Sequence, residues 1–247
     1  MPFLNEEGKQ YHINCKEGDV GRYVLLPGDP FRTDVIASMF DDAKLVAHRE
    51  CKTWTGTLNG EKVSVTSTGM GSPSTAIVVE ELIRCGADTF IRVGTSGRVC
   101  PASQDMSLNG VINTAAVRDE GTTISYVPLA YPAVADRHVV DALARAAKKL
   151  GYNFAEGITH SKDAFYAEIE PDNMPNSDYV KSRWQAWERS NVMCSEMEAA
   201  AIFIVSSIRN CRASAVMAYK KVNLQAAMET AIEGLRILIE EDKKLGR

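Results

Sequence analysis

The 247-residue chain has no long apolar run: its longest, such as Ala199 to Val205, falls far short of the roughly 18 residues a membrane-crossing helix needs. The opening residues, Met1 to Glu7, carry neither the basic flank nor the apolar core of an export signal. Together these absences predict a protein that works in the cytoplasm without a membrane partner. A basic excess is also missing. Lys and Arg number 28 against 32 Asp and Glu, a net charge of −4, which argues against a nucleic-acid partner. The six cysteines, at positions 15, 51, 85, 100, 194 and 211, form no CxxC pair and have no histidine at ligand spacing. They read as reduced thiols packed like small apolar residues, not as a disulfide framework or a zinc site. Neither GxxxxGK[ST] nor GxGxxG occurs, so nucleoside triphosphate and dinucleotide sites have no support. No repeat, low-complexity tract or linker divides the chain, which predicts one domain over residues 1–247.

What is present alternates. Strand-like runs at Tyr23–Leu26, Val63–Thr66, Thr89–Val93, Val111–Thr114 and Ile158–His160 are rich in β-branched or aromatic residues. Between them, apolar residues return every three or four positions over Phe31–Met39, Ser74–Cys85, Ala135–Leu150, Asp178–Arg189, Ser195–Ile208 and Asn223–Lys244, predicting helices. This alternation predicts α/β layers with helices on both faces of a sheet. In such folds ligands gather beyond the carboxyl ends of strands.

Three strand ends carry chemistry. In Pro27-Gly28-Asp29-Pro30-Phe31-Arg32, Asp29 is placed to cap a helix that begins at Pro30, while Gly28 allows close backbone approach. Arg32 falls in the first helical turn, where a cation opposes the helix dipole unless an anion sits there, so a cap and an anion site are both open readings. In Ile91-Arg92-Val93-Gly94-Thr95-Ser96-Gly97, an arginine inside an apolar strand needs a carboxylate or a bound anion. The Gly-Thr-Ser-Gly that follows suits either a phosphate or a plain turn. In Cys194-Ser195-Glu196-Met197-Glu198, Ser195 and Glu198 have capping-box spacing, which leaves Glu196 over. His48-Arg49-Glu50 reads by itself as a solvated charged turn and His12 as a surface residue, with no triad spacing to support hydrolysis.

As an ordered set, these stretches together with Ser67-Thr68-Gly69-Met70-Gly71 and Phe165-Tyr166 resemble the nucleoside phosphorylase family of hexameric enzymes, and within it the bacterial uridine phosphorylases. The resemblance runs from about Tyr11 to the last helix. It implies a single-domain, three-layer phosphorylase/hydrolase-like fold with a central mixed β-sheet flanked by helices. It further implies reversible phosphorolysis, in which inorganic phosphate as co-substrate attacks C1′ of a nucleoside and frees the base, with no other cofactor. Carried over, Gly28, Arg32, Arg92 and Thr95 would hold phosphate, with Arg49 arriving from a neighbouring subunit. Met197 and Glu198 would hold the ribose hydroxyls, joined by the neighbour's His12, and Glu196 would stand beside them. Phe165 would stack near the base, and Ser96, Gly97 and Glu168 would line its pocket. Arg92, Thr95 and Glu198 would be the residues closest to the chemistry. No metal is required, although Glu50, Met70 and Ser74 match positions that hold a monovalent cation between subunits in similar enzymes. Sites shared in this way imply a homo-oligomer, at least a dimer and by resemblance a hexamer.

The chemistry accounts for the residue types. A departing base leaves a cation-like sugar, so a dianion fixed near C1′ stabilises the transition state as well as attacking it. Arginine supplies planar, permanently charged forks for that dianion.

Two departures from the family pattern stand out. The Gln-x-Arg pair that reads uracil in the best-known uridine phosphorylases is absent after Phe165-Tyr166, where Ala167-Glu168-Ile169-Glu170-Pro171 stands instead. The Glu-Pro-Asp-x-Met-Pro segment resembles another bacterial branch of the same enzymes. A bare carboxylate at Glu168 would repel the uracil carbonyls unless it is protonated or bridged. Secondly, Ala218 is followed at once by Tyr219-Lys220-Lys221 and a helical pattern, where the family has a lid loop over the base. Either the protein has no lid, or a longer chain carries a segment that is missing here; without a lid the base stays wet and catalysis is weaker. A purine nucleoside phosphorylase, a nucleosidase using water and a non-catalytic nucleoside-binding homologue are the competing readings.

Overall fold

The computed structural model describes residues 4–247. Its strands are β1 (Tyr23–Leu26), β2 (Asp41–His48), β3 (Lys52–Leu58), β4 (Glu61–Thr66), β5 (Thr89–Thr95), β6 (Gly97–Arg98), β7 (Gly110–Asp119), β8 (Ala133–Val134), β9 (Phe154–Lys162), β10 (Cys194–Glu196) and β11 (Arg212–Ala218). The helices are α1 (Pro30–Ala37), α2 (Ser72–Arg84), α3 (Arg137–Leu150), α4 (Phe165–Ile169), α5 (Ser177–Arg189), α6 (Ala199–Ile208) and α7 (Leu224–Leu245). One mixed sheet runs in the order β2-β3-β4-β1-β5-β11-β7-β9-β10-β6, with β8 attached to β7. Strands β4, β1, β5 and β11 are parallel, β7 runs against β11, and β7, β9 and β10 are parallel to one another. The expected α/β sheet with flanking helices is the observed one: α2 packs with α6 and α3 with α7 around it.

Local chemistry explains most of the elements. Tyr23–Leu26 is buried throughout, as a strand between parallel neighbours must be. Asp29 caps α1 by accepting from Phe31 N–H, with Pro30 in the first turn, so the cap reading of that stretch is realised. Asp136 caps α3 in the same way, and Gly151 ends it in the left-handed region at φ 75°. Helix α6 is buried from Ala199 to Ser206, which its unbroken apolar run requires. Strands β2 and β3 escaped sequence reading because β2, Asp-Asp-Ala-Lys-Leu-Val-Ala-His, is an exposed edge strand held by its pairing with β3, not by its own propensity.

The sheet's closure positions the site. Strand β6 follows β5 after the single residue Ser96, whose N–H donates to Ala218 O at 2.9 Å, yet β6 pairs with β10, four strands further along. The sheet therefore curls back on itself and brings the end of β10 to β5. Around the chain's other pole, Asp242 of α7 is buried and accepts from Tyr23 Oη at 2.8 Å and from both terminal nitrogens of Arg212. Burial alone would push this carboxyl up, but the Arg212 and Tyr23 hydrogen bonds hold it below the usual range. Its stabilising effect is thus present above the ordinary aspartate pKa of about 4 and is lost as pH falls through the lowered folded value. Asp242→Asn, which leaves Arg212 without its countercharge, is expected to cost about 3 kcal/mol in urea unfolding at neutral pH and to shrink the difference between neutral and acidic stability. An unchanged unfolding midpoint would contradict this latch.

The chain leaves β11 without a lid loop. Tyr219 is buried under the Arg98 guanidinium, 3.9 Å from its ring centre, and donates to Met193 O at 3.0 Å. A short turn at Lys221–Asn223 then leads into α7. Among the described residues, no helix is long and apolar enough to cross a membrane. All six cysteines are free and only Cys211 is not fully buried.

Candidate active site

Arg92 lies inside β5, 5% exposed, and its demand for a partner is met twice. Its Nε donates to Glu196 Oε2 at 2.9 Å and its Nη2 to Glu198 Oε2, while Nη1 is buried with no partner. Burial would weaken the guanidinium's charge, but Glu198 and Glu196 more than restore it. Two carboxylates on one cation leave a negative excess, and burial with that crowding raises the Glu198 pKa. Arg32, in the first turn of α1, supplies a further positive charge. Burial, with Arg92 close by, lowers its pKa, while Asp29 and Glu198 oppose that.

The expected capping box is corrected here. Ser195 belongs to β10 and α6 starts at Ala199, so the helix begins later than its apolar pattern suggests. Glu196 takes over the cap, accepting from Glu198 N–H at 2.8 Å and Ala199 N–H at 3.0 Å, with the Ser161 hydroxyl as a further donor. Glu198 is free to turn toward Arg92 and accepts Gly71 N–H at 2.7 Å. The buried arginine decides this outcome, because an unpaired cation costs more than a surrendered cap. Gly71 has φ 87°, a conformation that suits glycine and aims this N–H at the carboxylate.

Other expected residues lie at the ends of β1, β5 and β10 and at the start of α4. Gly28 sits against Gly69, whose N–H it accepts at 3.1 Å; a β-carbon on Gly28 would meet Gly69 O at 3.1 Å. Thr95 ends β5, and Ser96 and Gly97 carry the chain into β6, so Gly94 to Gly97 is a strand crossing and not a plain turn. Met197 links β10 to α6, with Ser72 Oγ donating to its carbonyl at 3.2 Å. Phe165, at the start of α4, is half exposed and meets Tyr166 edge-on.

His12 and Arg49 form a separate group. His12 is no simple surface residue: its Nδ1 lies 2.6 Å from Glu81 Oε1, and its N–H and that of Ile13 donate to the same buried carboxylate. Arg49 lies over the Tyr11 ring at 4.3 Å and donates to Tyr11 O. Among the described residues, neither bonds to Arg32, Arg92 or Glu198. Glu50 and Met70 are exposed, and Ser74 Oγ donates to Thr68 O.

Glu168 is bridged, as its position demands. Lys162, at the end of β9, donates to Glu168 Oε2 and to Ser195 Oγ at 3.0 Å. Sequence reading missed Lys162, Ser161, His160 and Asp119, because each acquires meaning only through partners on other strands. His160 Nε2 lies 2.8 Å from Asp119 Oδ2, and Arg183 holds the other oxygen, Oδ1, of the same carboxylate.

Comparison with known proteins follows this geometry. Residues 22–235 match the model of the phosphorylase superfamily. The chain is 43% identical to a uridine phosphorylase of Treponema pallidum over 94% of this chain and 95% of that protein. It is 44% identical to a uridine phosphorylase of Thermococcus kodakarensis, covering 98% of this chain and 91% of that one. A guanosine phosphorylase of Halorubrum lacusprofundi is 39% identical over 84% of this chain and 81% of its own length.

Proposed function

Because the chain belongs to the phosphorylase superfamily, we propose that it is a nucleoside phosphorylase that cleaves uridine with inorganic phosphate, giving uracil and ribose 1-phosphate. The observation that carries this reading is the buried Arg92 guanidinium, fixed on two sides by Glu196 and Glu198 with Nη1 left without a partner. A buried donor without an acceptor is costly, and a phosphate oxygen is the acceptor that would satisfy it. Arg32, Gly28 and Thr95 complete the phosphate's surroundings. Glu198 and Met197 hold the ribose, Phe165 covers the base, and Ser96 and Gly97 line its pocket. Uridine is the first substrate because two relatives of more than 40% identity are uridine phosphorylases.

Mechanistically, Arg92 and Arg32 fix the phosphate dianion below C1′. As the glycosidic bond lengthens, the ribose gains positive charge that this dianion stabilises before it bonds to C1′. Glu198, accepting from the ribose hydroxyls, holds the ring for in-line attack and takes no proton from it. No resident metal or organic cofactor enters these steps. Residues 1–247 act as one domain.

Guanosine phosphorolysis is the second reading, favoured by the Halorubrum relative. Base release from uridine, thymidine, inosine and guanosine at saturating phosphate separates the two; guanosine or inosine preferred over uridine would move the assignment to purines.

Among the described residues His12 pairs with Glu81 and Arg49 with Tyr11 and Glu50, none of them a phosphate or ribose candidate, and we propose that His12 and Arg49 complete the site of a neighbouring copy within a dimer or larger homo-oligomer. Mixing inactive His12→Ala and Arg92→Ala proteins after joint refolding is expected to restore part of the activity, since some sites then draw both intact residues from different chains. No recovery in verified mixed oligomers would contradict shared sites.

A further inference from the structure

We infer that Lys162, with Glu168 as its partner, reads the imide edge of the base and selects an oxo-pyrimidine over an amino-pyrimidine; this rests on the function proposed above. Lys162 ends β9 with its side chain 12% exposed. An ammonium has three hydrogens to give, and two are committed, to Glu168 Oε2 and to Ser195 Oγ. Its Nζ lies 5.6 Å from the centre of the Phe165 ring, and Ser195 directly precedes Glu196-Met197-Glu198. The cation is therefore held between the aromatic residue assigned to the base and the strand end assigned to the ribose.

The surrounding charges fix its role. Glu168 lies 3.5 Å from His160 Nδ1, His160 Nε2 binds Asp119, and Asp119 binds Arg183. Lys162 pairs with Glu168 and Arg183 with Asp119, so each carboxylate beside His160 already has a cation of its own. Lys162 and Glu168 also line a cleft of about 220 Å³ together with Ala164 and Ala167, from the segment that carries Phe165.

A lysine donor beside a carboxylate acceptor complements a carbonyl next to an N–H. Uracil presents that pair as C4=O and N3–H, and hypoxanthine as C6=O and N1–H. Cytosine reverses it, with an amino donor beside a bare ring nitrogen, and would face like against like. The pair thus stands in for the absent Gln-x-Arg, and it resolves the conflict of a lone carboxylate facing uracil.

The test measures uracil, hypoxanthine, cytosine and phosphate binding by quenching of Trp184 and Trp187 fluorescence and by calorimetry, in the native protein, Lys162→Met and Lys162→Arg. The expected result is a Kd for uracil raised about 10- to 100-fold in Lys162→Met, with phosphate affinity unchanged, and most of the loss restored in Lys162→Arg. Native protein should bind uracil over cytosine, and the preference should narrow in Lys162→Met. Equal uracil affinity in native and Lys162→Met proteins would overturn the inference. Preference for hypoxanthine, weakened in Lys162→Met, would uphold Lys162 while refuting the uridine assignment, and native protein that binds no base would refute both.

Discussion

Arg92→Ala is expected to lower kcat/KM for phosphate about 1,000-fold, because on the proposed function it removes the buried donor that both fixes the nucleophile and offsets its charge. The substitution also strips Glu196 and Glu198 of their shared cation, and two buried carboxylates at close quarters would destabilise the fold. Arg92→Lys separates the two effects. It keeps a positive charge beside the two carboxylates, which should preserve more stability than Arg92→Ala does, but it lacks the planar fork and should still lose about 100-fold in turnover. Measured KM for phosphate should rise more than KM for uridine in both variants. Native phosphate kinetics in a folded Arg92→Lys protein would remove Arg92 from the phosphate site.

Glu198→Ala is the second large effect. With the carboxylate gone, Gly71 N–H loses its acceptor and, on the proposed function, the ribose loses the group that orients it, so a drop of about 100-fold in kcat/KM for uridine is expected. The loss should be smaller with 2′-deoxyuridine, which lacks one of the two hydroxyls that Glu198 accepts from. Burial raises the Glu198 pKa, so ionised Glu198 is lost, and activity with it, at a pH above the ordinary glutamate value of about 4.3 as the medium is acidified. Glu198→Gln should flatten that acid limb. An equal loss on uridine and 2′-deoxyuridine, with the limb unmoved, would mean that Glu198 only supports Arg92.

How legible this was in the sequence varied with the range of the interaction. Asp29 with Pro30 announced the start of α1 because both act on adjacent backbone, and Val63–Thr66 and Thr89–Val93 announced strands through composition. Arg92 announced a need, since no arginine sits unpaired in an apolar strand, but not its partners, which lie 104 and 106 residues away. Ser195 and Glu198 show the converse. Their spacing was locally self-consistent as a cap, and only the curling of the sheet, which sets the end of β10 against β5, reassigns Glu196 to the helix and Glu198 to Arg92. Lys162 gave no signal, because its meaning depends on a chain reversal between β9 and α4 that brings Glu168 back to it. The short passage after Ala218 was plain in the sequence, and the buried Tyr219 shows how the chain is carried straight to α7.

A site built this way, open beside Phe165, should be slower than a lidded one, because water stays near the breaking bond. Water so placed also makes the identity of the nucleophile the decisive question. The most direct measurement is uracil release from uridine by the oligomeric protein, with and without inorganic phosphate, alongside quantitation of ribose 1-phosphate. The account predicts uracil only when phosphate is present, with one ribose 1-phosphate formed for each uracil freed. Uracil release at the same rate without phosphate, with free ribose as the product, would contradict it and make the protein a hydrolase.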